Sequence, residues 1–119
     1  SRGARAIVVS NHGGRQLDTA PPTAHVLPTI VEAASGRADV LVDGGIRRGT
    51  DIIKAIALGA SGVLIGRPIL WGLAHSGGDG VKNILEILRA ELLEAMALCG
   101  CPSIASINRS LIEPQQGQA

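Results

Sequence analysis

The 119-residue sequence predicts an α/β fold built from three successive βα units. Three short, near-continuous apolar runs rich in β-branched residues read as parallel strands buried on both faces: residues 6–9 (AIVV), 40–42 (VLV) and 63–65 (VLI). A glycine- and arginine-bearing stretch follows each run, and helical periodicity resumes after it.

In chain order, the strand at 6–9 leads into SNHGGRQLD and then a helix over 23–34. Thr23 is the expected N-cap, Val26, Leu27, Ile30, Val31 and Ala34 form one face, and Gly36 is the stop. Pro28 predicts a kink or a later start, because it lacks the N–H a helix interior needs. After the strand at 40–42, a helix over 50–58 is capped by Thr50, ended by Gly59, and turns Ile52, Ile53, Ile56 and Ala57 inward. The strand at 63–65 is followed by the longest helical pattern, which begins at Val81. It places Val81, Ile84, Leu85, Leu88, Leu92, Ala95 and Met96 on one face, with Lys82, Glu86, Arg89 and Glu94 opposite. Beyond Pro102 a short apolar segment precedes a polar end expected to fray.

Composition excludes several classes of partner. Eleven Lys and Arg are interspersed with ten Asp and Glu, so no basic stripe points to nucleic acid and no basic amphipathic helix points to a membrane surface. No apolar run approaches the ~20 residues of a membrane span, and SRGARAIVV lacks the features of a signal peptide. Cys99 and Cys101 have no second ligand pair; they are expected to be free thiols in a reducing, cytoplasmic setting, and no metal site follows. The chain has no Tyr, no Phe and one Trp, which predicts that parts of its core and of its pocket lie outside it.

Three βα units leave two architectures open: a small open sheet, or the last three units of a (β/α)8 barrel, which needs eight units and about 250 residues. The chain has neither the G-x-G-x-x-G of a dinucleotide fold nor a P-loop. Parallel strands put their following loops on one edge, so three motifs converge there. DGGIRRGT offers paired glycines for close backbone approach and arginines with permanent forked donors, a combination suited to phosphate. Gly66-Arg67-Pro68 repeats that pairing one strand on. SNHGGRQLD adds an imidazole, whose unperturbed pKa of ~6.5 suits a general base. Each motif alone also reads as an ordinary turn with solvated arginines. His25, His75, Trp71 and Met96 read as surface or packing residues, and Arg48 as solvated.

SNHGGRQLD, DGGIRRGTDIIKAIALGA and GVLIGRPILWGLA, in this order, resemble the C-terminal part of the FMN-dependent α-hydroxy-acid oxidase and dehydrogenase family, over about residues 3–112. The resemblance implies that residues 1–119 are the last three βα units of a TIM barrel whose N-terminal part lies outside this chain. It implies FMN as cofactor, oxidation of a small (S)-2-hydroxy acid to the keto acid, and a homo-oligomer, a tetramer in the family. By that similarity His12 is the base and Arg15 binds the substrate carboxylate. His12, Gly13, Asp43, Gly44, Gly45, Arg47, Gly66 and Arg67 hold FMN, Asp43 taking a ribityl hydroxyl or ordering the turn. Gly13 and Gly14 serve close approach or an unusual backbone angle, while Gln16, Leu17 and Asp18 are scaffolding. The segment alone is expected to be inactive. The alternatives are another FMN- or phosphate-binding barrel of isomerase type, which would not need His12 with Arg15, and a non-catalytic half-barrel that binds only a phosphate ligand or a partner chain.

Overall fold

The computed structural model describes residues 3–113. A three-stranded parallel sheet, ordered β1-β2-β3, is formed by β1 (Ala6–Val9), β2 (Asp39–Val42) and β3 (Gly62–Val63). Ala6 pairs with Asp39 and Val9 with Val42, while Leu41 and Val42 pair with Gly62 and Val63. Each strand falls within a residue or two of its sequence expectation. The last is shorter than 63–65, although Leu64 N–H still donates to the Val42 carbonyl at 2.9 Å.

Helix α1 (Thr23–Ala34) and helix α2 (Gly49–Ala57) follow β1 and β2. Val9, Leu27, Val40, Val42, Ala55 and Ala60 form the core between the sheet and these helices. Helix α1 continues through Pro28, whose missing N–H deprives only one carbonyl of its helical partner. Thr23 is not the N-cap. Pro22 occupies that position, and the Thr23 hydroxyl donates to the Asp43 carbonyl instead, tying α1 to the loop after β2. The helix ends where Ser35 and Gly36 turn left-handed, at φ 52° and 70°. Helix α2 begins one residue before Thr50. Its first turn is closed by Asp51, whose Oδ2 accepts the N–H groups of Arg47 and Arg48, each at 3.0 Å.

The largest departure is helix α3 (Arg67–Leu98), which starts fourteen residues before Val81. It breaks sharply at Ser76–Gly77, where Gly77 has φ 58° and ψ −138°. The two arms fold against each other at Gly72 and Gly80, both buried; a Cβ on Gly80 would overlap the Gly72 carbonyl. The second arm places Leu88, Ala95 and Met96 in the core as the periodicity predicts, but Leu85 is exposed. Cys101 and Ile107 of the tail pack with Ile53, Ala57, Ala95 and Met96, joining α2, α3 and the tail. The polar end expected to fray lies outside the described residues beyond 113.

The expectation of strands buried on both faces fails on β1 and in the third run, where Leu64 is 43% exposed. Ile7 and Val8, which point to opposite faces of β1, are 36% and 48% exposed, because too little packs over those faces among the described residues. The apolar run encodes a strand with two covered faces, and in this chain only Val9 of β1 is buried.

Candidate functional site

The loops after β1, β2 and β3 leave the same edge of the sheet, as parallel strands require. The nine residues singled out in sequence, from His12 to Arg67, all line one cleft of about 250 Å³, together with Ile46, Leu64, Ile65 and Leu70. Three arginines and a histidine face one aspartate there, so the cleft suits an anion.

The first loop is a left-handed 3-10 turn over His12–Gly14, with φ of 54°, 66° and 72°. Histidine enters that region more readily than most side chains, yet still at a cost of about 1–2 kcal/mol. Neighbouring side chains hold the turn. Asn11 Oδ1 accepts the Gly13 N–H at 3.0 Å while Asn11 Nδ2 donates to the Pro21 carbonyl at 3.1 Å. Ser10 Oγ accepts the His12 N–H at 3.1 Å and donates to Asp43 Oδ2 at 2.8 Å, joining this loop to the next. Arg67 Nη2 donates to the Gly13 carbonyl at 3.4 Å, joining it to the third. The side chains of His12 and Arg15 are exposed and make no hydrogen bond among the described residues.

In the second loop Gly44 and Gly45 have φ of 92° and 78°, conformations open to glycine. A Cβ on Gly45 would meet nothing within 4 Å, so the backbone there faces open space. The Arg47 guanidinium donates to the Ile46 carbonyl at 2.8 Å and stacks 5.1 Å from the Trp71 ring centroid. In the third loop Gly66 precedes the first turn of α3, Arg67 opens the helix and Pro68 follows in its first turn.

Asp43 supplies the test of cofactor fit. Its Oδ1 is buried without a hydrogen-bond partner among the described residues, a costly state that a ligand hydroxyl would relieve. A hydroxylated chain ending in an anion matches this donor set: Asp43 for a hydroxyl, Arg47 and Arg67 for the charge, and the open glycine backbone for close approach. The residues fit a phosphorylated polyol such as the ribityl phosphate of FMN.

A family model described as FMN-dependent dehydrogenase matches residues 1–114. The chain belongs to this family. Within the FMN-dependent dehydrogenases it is 60% identical over 110 residues to an L-lactate oxidase of Nostoc sp., covering 92% of this chain and 30% of that protein. It is 54% identical over 113 residues to a peroxisomal (S)-2-hydroxyacid oxidase of Arabidopsis thaliana, covering 95% of this chain and 31% of that one. A solved structure of mandelate oxidase with benzoyl-formic acid superposes with a TM-score of 0.87 at 58% identity, over 90% of this chain and 32% of that one. The same kind of enzyme has been solved with a monooxide FMN adduct. The chain thus spans about a third of the length of the relatives it matches. Among the described residues, no helix is long and apolar enough to cross a membrane.

Several contributors carry no sequence signal strong enough to single them out. Ser10 and Asn11 lie inside the quoted motif but read as turn residues, and Thr23 reads as a cap. Trp71 is 55% exposed and stacks on Arg47, which corrects its reading as a packing residue.

Proposed function

We propose that this chain supplies the proton-transfer and phosphate-binding loops of an FMN-dependent oxidase of small (S)-2-hydroxy acids. The convergence of His12, Arg15, Asp43, Arg47 and Arg67 on one cleft carries the reading. In it Arg15 binds the substrate carboxylate through two parallel hydrogen bonds and holds C2 near His12. The His12 imidazole accepts the proton that leaves as the C2–OH unit becomes a keto group, whether that proton comes from carbon or from oxygen. When bound, FMN supplies the two-electron acceptor. Gly13, Gly44, Gly45 and Gly66 give its phosphate arm backbone access, Arg47 and Arg67 neutralise the dianion, and Asp43 Oδ1 takes a ribityl hydroxyl.

On this reading residues 1–119 are the last three units of a (β/α)8 barrel, completed by segments outside this chain. The complete protein is a homo-oligomer, a tetramer as the family resemblance implies. Cys99 and Cys101 are free thiols, which supports a reducing compartment, and we place the protein in the cytoplasm. Localisation of the full-length protein checks this against the peroxisomal naming of one relative.

Anaerobic mixing of the full-length flavoprotein with glycolate, lactate or mandelate tests the activity. Bleaching of the flavin spectrum with formation of the keto acid is the expected result. A yellow protein that none of these acids bleaches would favour an isomerase-type barrel, and a colourless one a non-catalytic phosphate binder.

A further inference from the structure

Glu91 lies 42 residues from Gly49 in sequence, and its Oε2 accepts the Gly49 N–H at 2.8 Å across the α2–α3 contact. Gly49 is buried, and a Cβ there would overlap the backbone of Leu92 and Glu91, so the start of α2 rests directly on α3. Asp51 occupies the neighbouring N–H groups of Arg47 and Arg48. Two carboxylates therefore satisfy three successive donors at the end of the DGGIRR loop. Those donors are unavailable to an anion, which leaves the Arg47 guanidinium as the positive group this loop offers the cleft. Its position depends on where α2 starts.

We propose that Glu91 is a positioning residue for the cofactor's phosphate: by clamping Gly49 to α3 it fixes the register of the 43–48 loop and hence the reach of Arg47 into the cleft. The inference rests on the reading of Arg47 as a phosphate ligand. Glu91 itself does not line the cleft, so its influence is transmitted through Gly49 and the loop.

The test titrates full-length apoprotein with FMN and, in parallel, with riboflavin, which lacks the phosphate. Loss of the charge-assisted clamp in Glu91→Ala should weaken FMN binding about tenfold and leave riboflavin within about twofold. Glu91→Gln, which retains an acceptor oxygen, should restore most of the FMN affinity. Should Glu91→Ala not fold, Glu91→Asp withdraws the carboxylate by one methylene and should show the same selective loss. Equal weakening of both ligands, or of neither, by the variant that folds overturns the proposal. Arg47→Ala is the reference: if it too fails to distinguish FMN from riboflavin, the phosphate reading falls. If it distinguishes them and the Glu91 variants do not, the role of Glu91 alone is wrong.

Discussion

Asp43→Asn isolates Asp43 Oδ1, the one buried side-chain oxygen or nitrogen among the described residues that lacks a partner. An asparagine keeps an oxygen to accept the Ser10 hydroxyl, which approaches Asp43 Oδ2 at 2.8 Å, so the bridge between the first two loops survives. With that oxygen facing Ser10, the position of Oδ1, buried and unpartnered among the described residues, becomes an amide nitrogen, which cannot accept a hydroxyl. A hydrogen bond to a charged acceptor contributes about 1.5–3 kcal/mol, so its loss should weaken flavin binding roughly ten- to a hundredfold. The loss should be at least as large for riboflavin as for FMN, because the ribityl hydroxyls are common to both, while removing a carboxylate near the phosphate relieves repulsion in FMN alone. Fluorescence titration of full-length apoprotein with each flavin measures both constants. A loss confined to FMN would mean that Asp43 acts at the phosphate end. Unchanged affinity for both would mean that the orphaned oxygen faces no ligand, and the fit argued from it would be void.

Three further outcomes are expected of the full-length protein. His12→Gln should bind FMN and substrate within about tenfold of native while slowing flavin reduction by at least ~10²-fold, as stopped-flow reduction would register. A native limiting rate would place the base elsewhere. Arg15→Lys keeps the charge but loses the fork, so the same experiment should give a raised substrate dissociation constant together with a lower limiting rate; an unchanged constant would remove Arg15 from the carboxylate. Gly49→Ala would gain up to about 1 kcal/mol of helix propensity but force overlap with the α3 backbone, so thermal unfolding should show a net loss of about 1–3 kcal/mol. A rise in the melting temperature would contradict that packing.

The strands and the cleft were legible because each rests on local chemistry. An apolar β-branched run needs no partner to be recognised as a strand, and parallel pairing then carries the loops after Val9, Val42 and Val63 to one edge. The first arm of α3 was hidden because Gly72, Gly77 and Gly78 interrupt the periodicity, although Gly66 before Arg67-Pro68 is the composition of a helix start. Thr23 departs from its capping pattern for a different reason: its hydroxyl donates to the carbonyl of Asp43, twenty residues on, and propensity cannot anticipate such a partner. Glu91 is the extreme case, since the role proposed for it depends on a contact between two residues 42 apart in sequence, on α2 and α3. The exposure of Ile7 and Val8 shows the converse. Sequence encodes the covered strand, and burial depends on what is packed against it.

The left-handed backbone at His12 means that the chain holds its imidazole in a conformation glycine would adopt at no steric cost. A glycine at position 12 would relieve about 1–2 kcal/mol of backbone strain, part of it offset by the freer unfolded chain, and so need not weaken the fold. Backbone stability alone therefore gives no reason for a histidine there. The loop's clasp of Ser10, Asn11 and Arg67 opposes the tendency to relax, and on the proposed reading of His12 as the base the first turn after β1 is where durability is given up for reactivity.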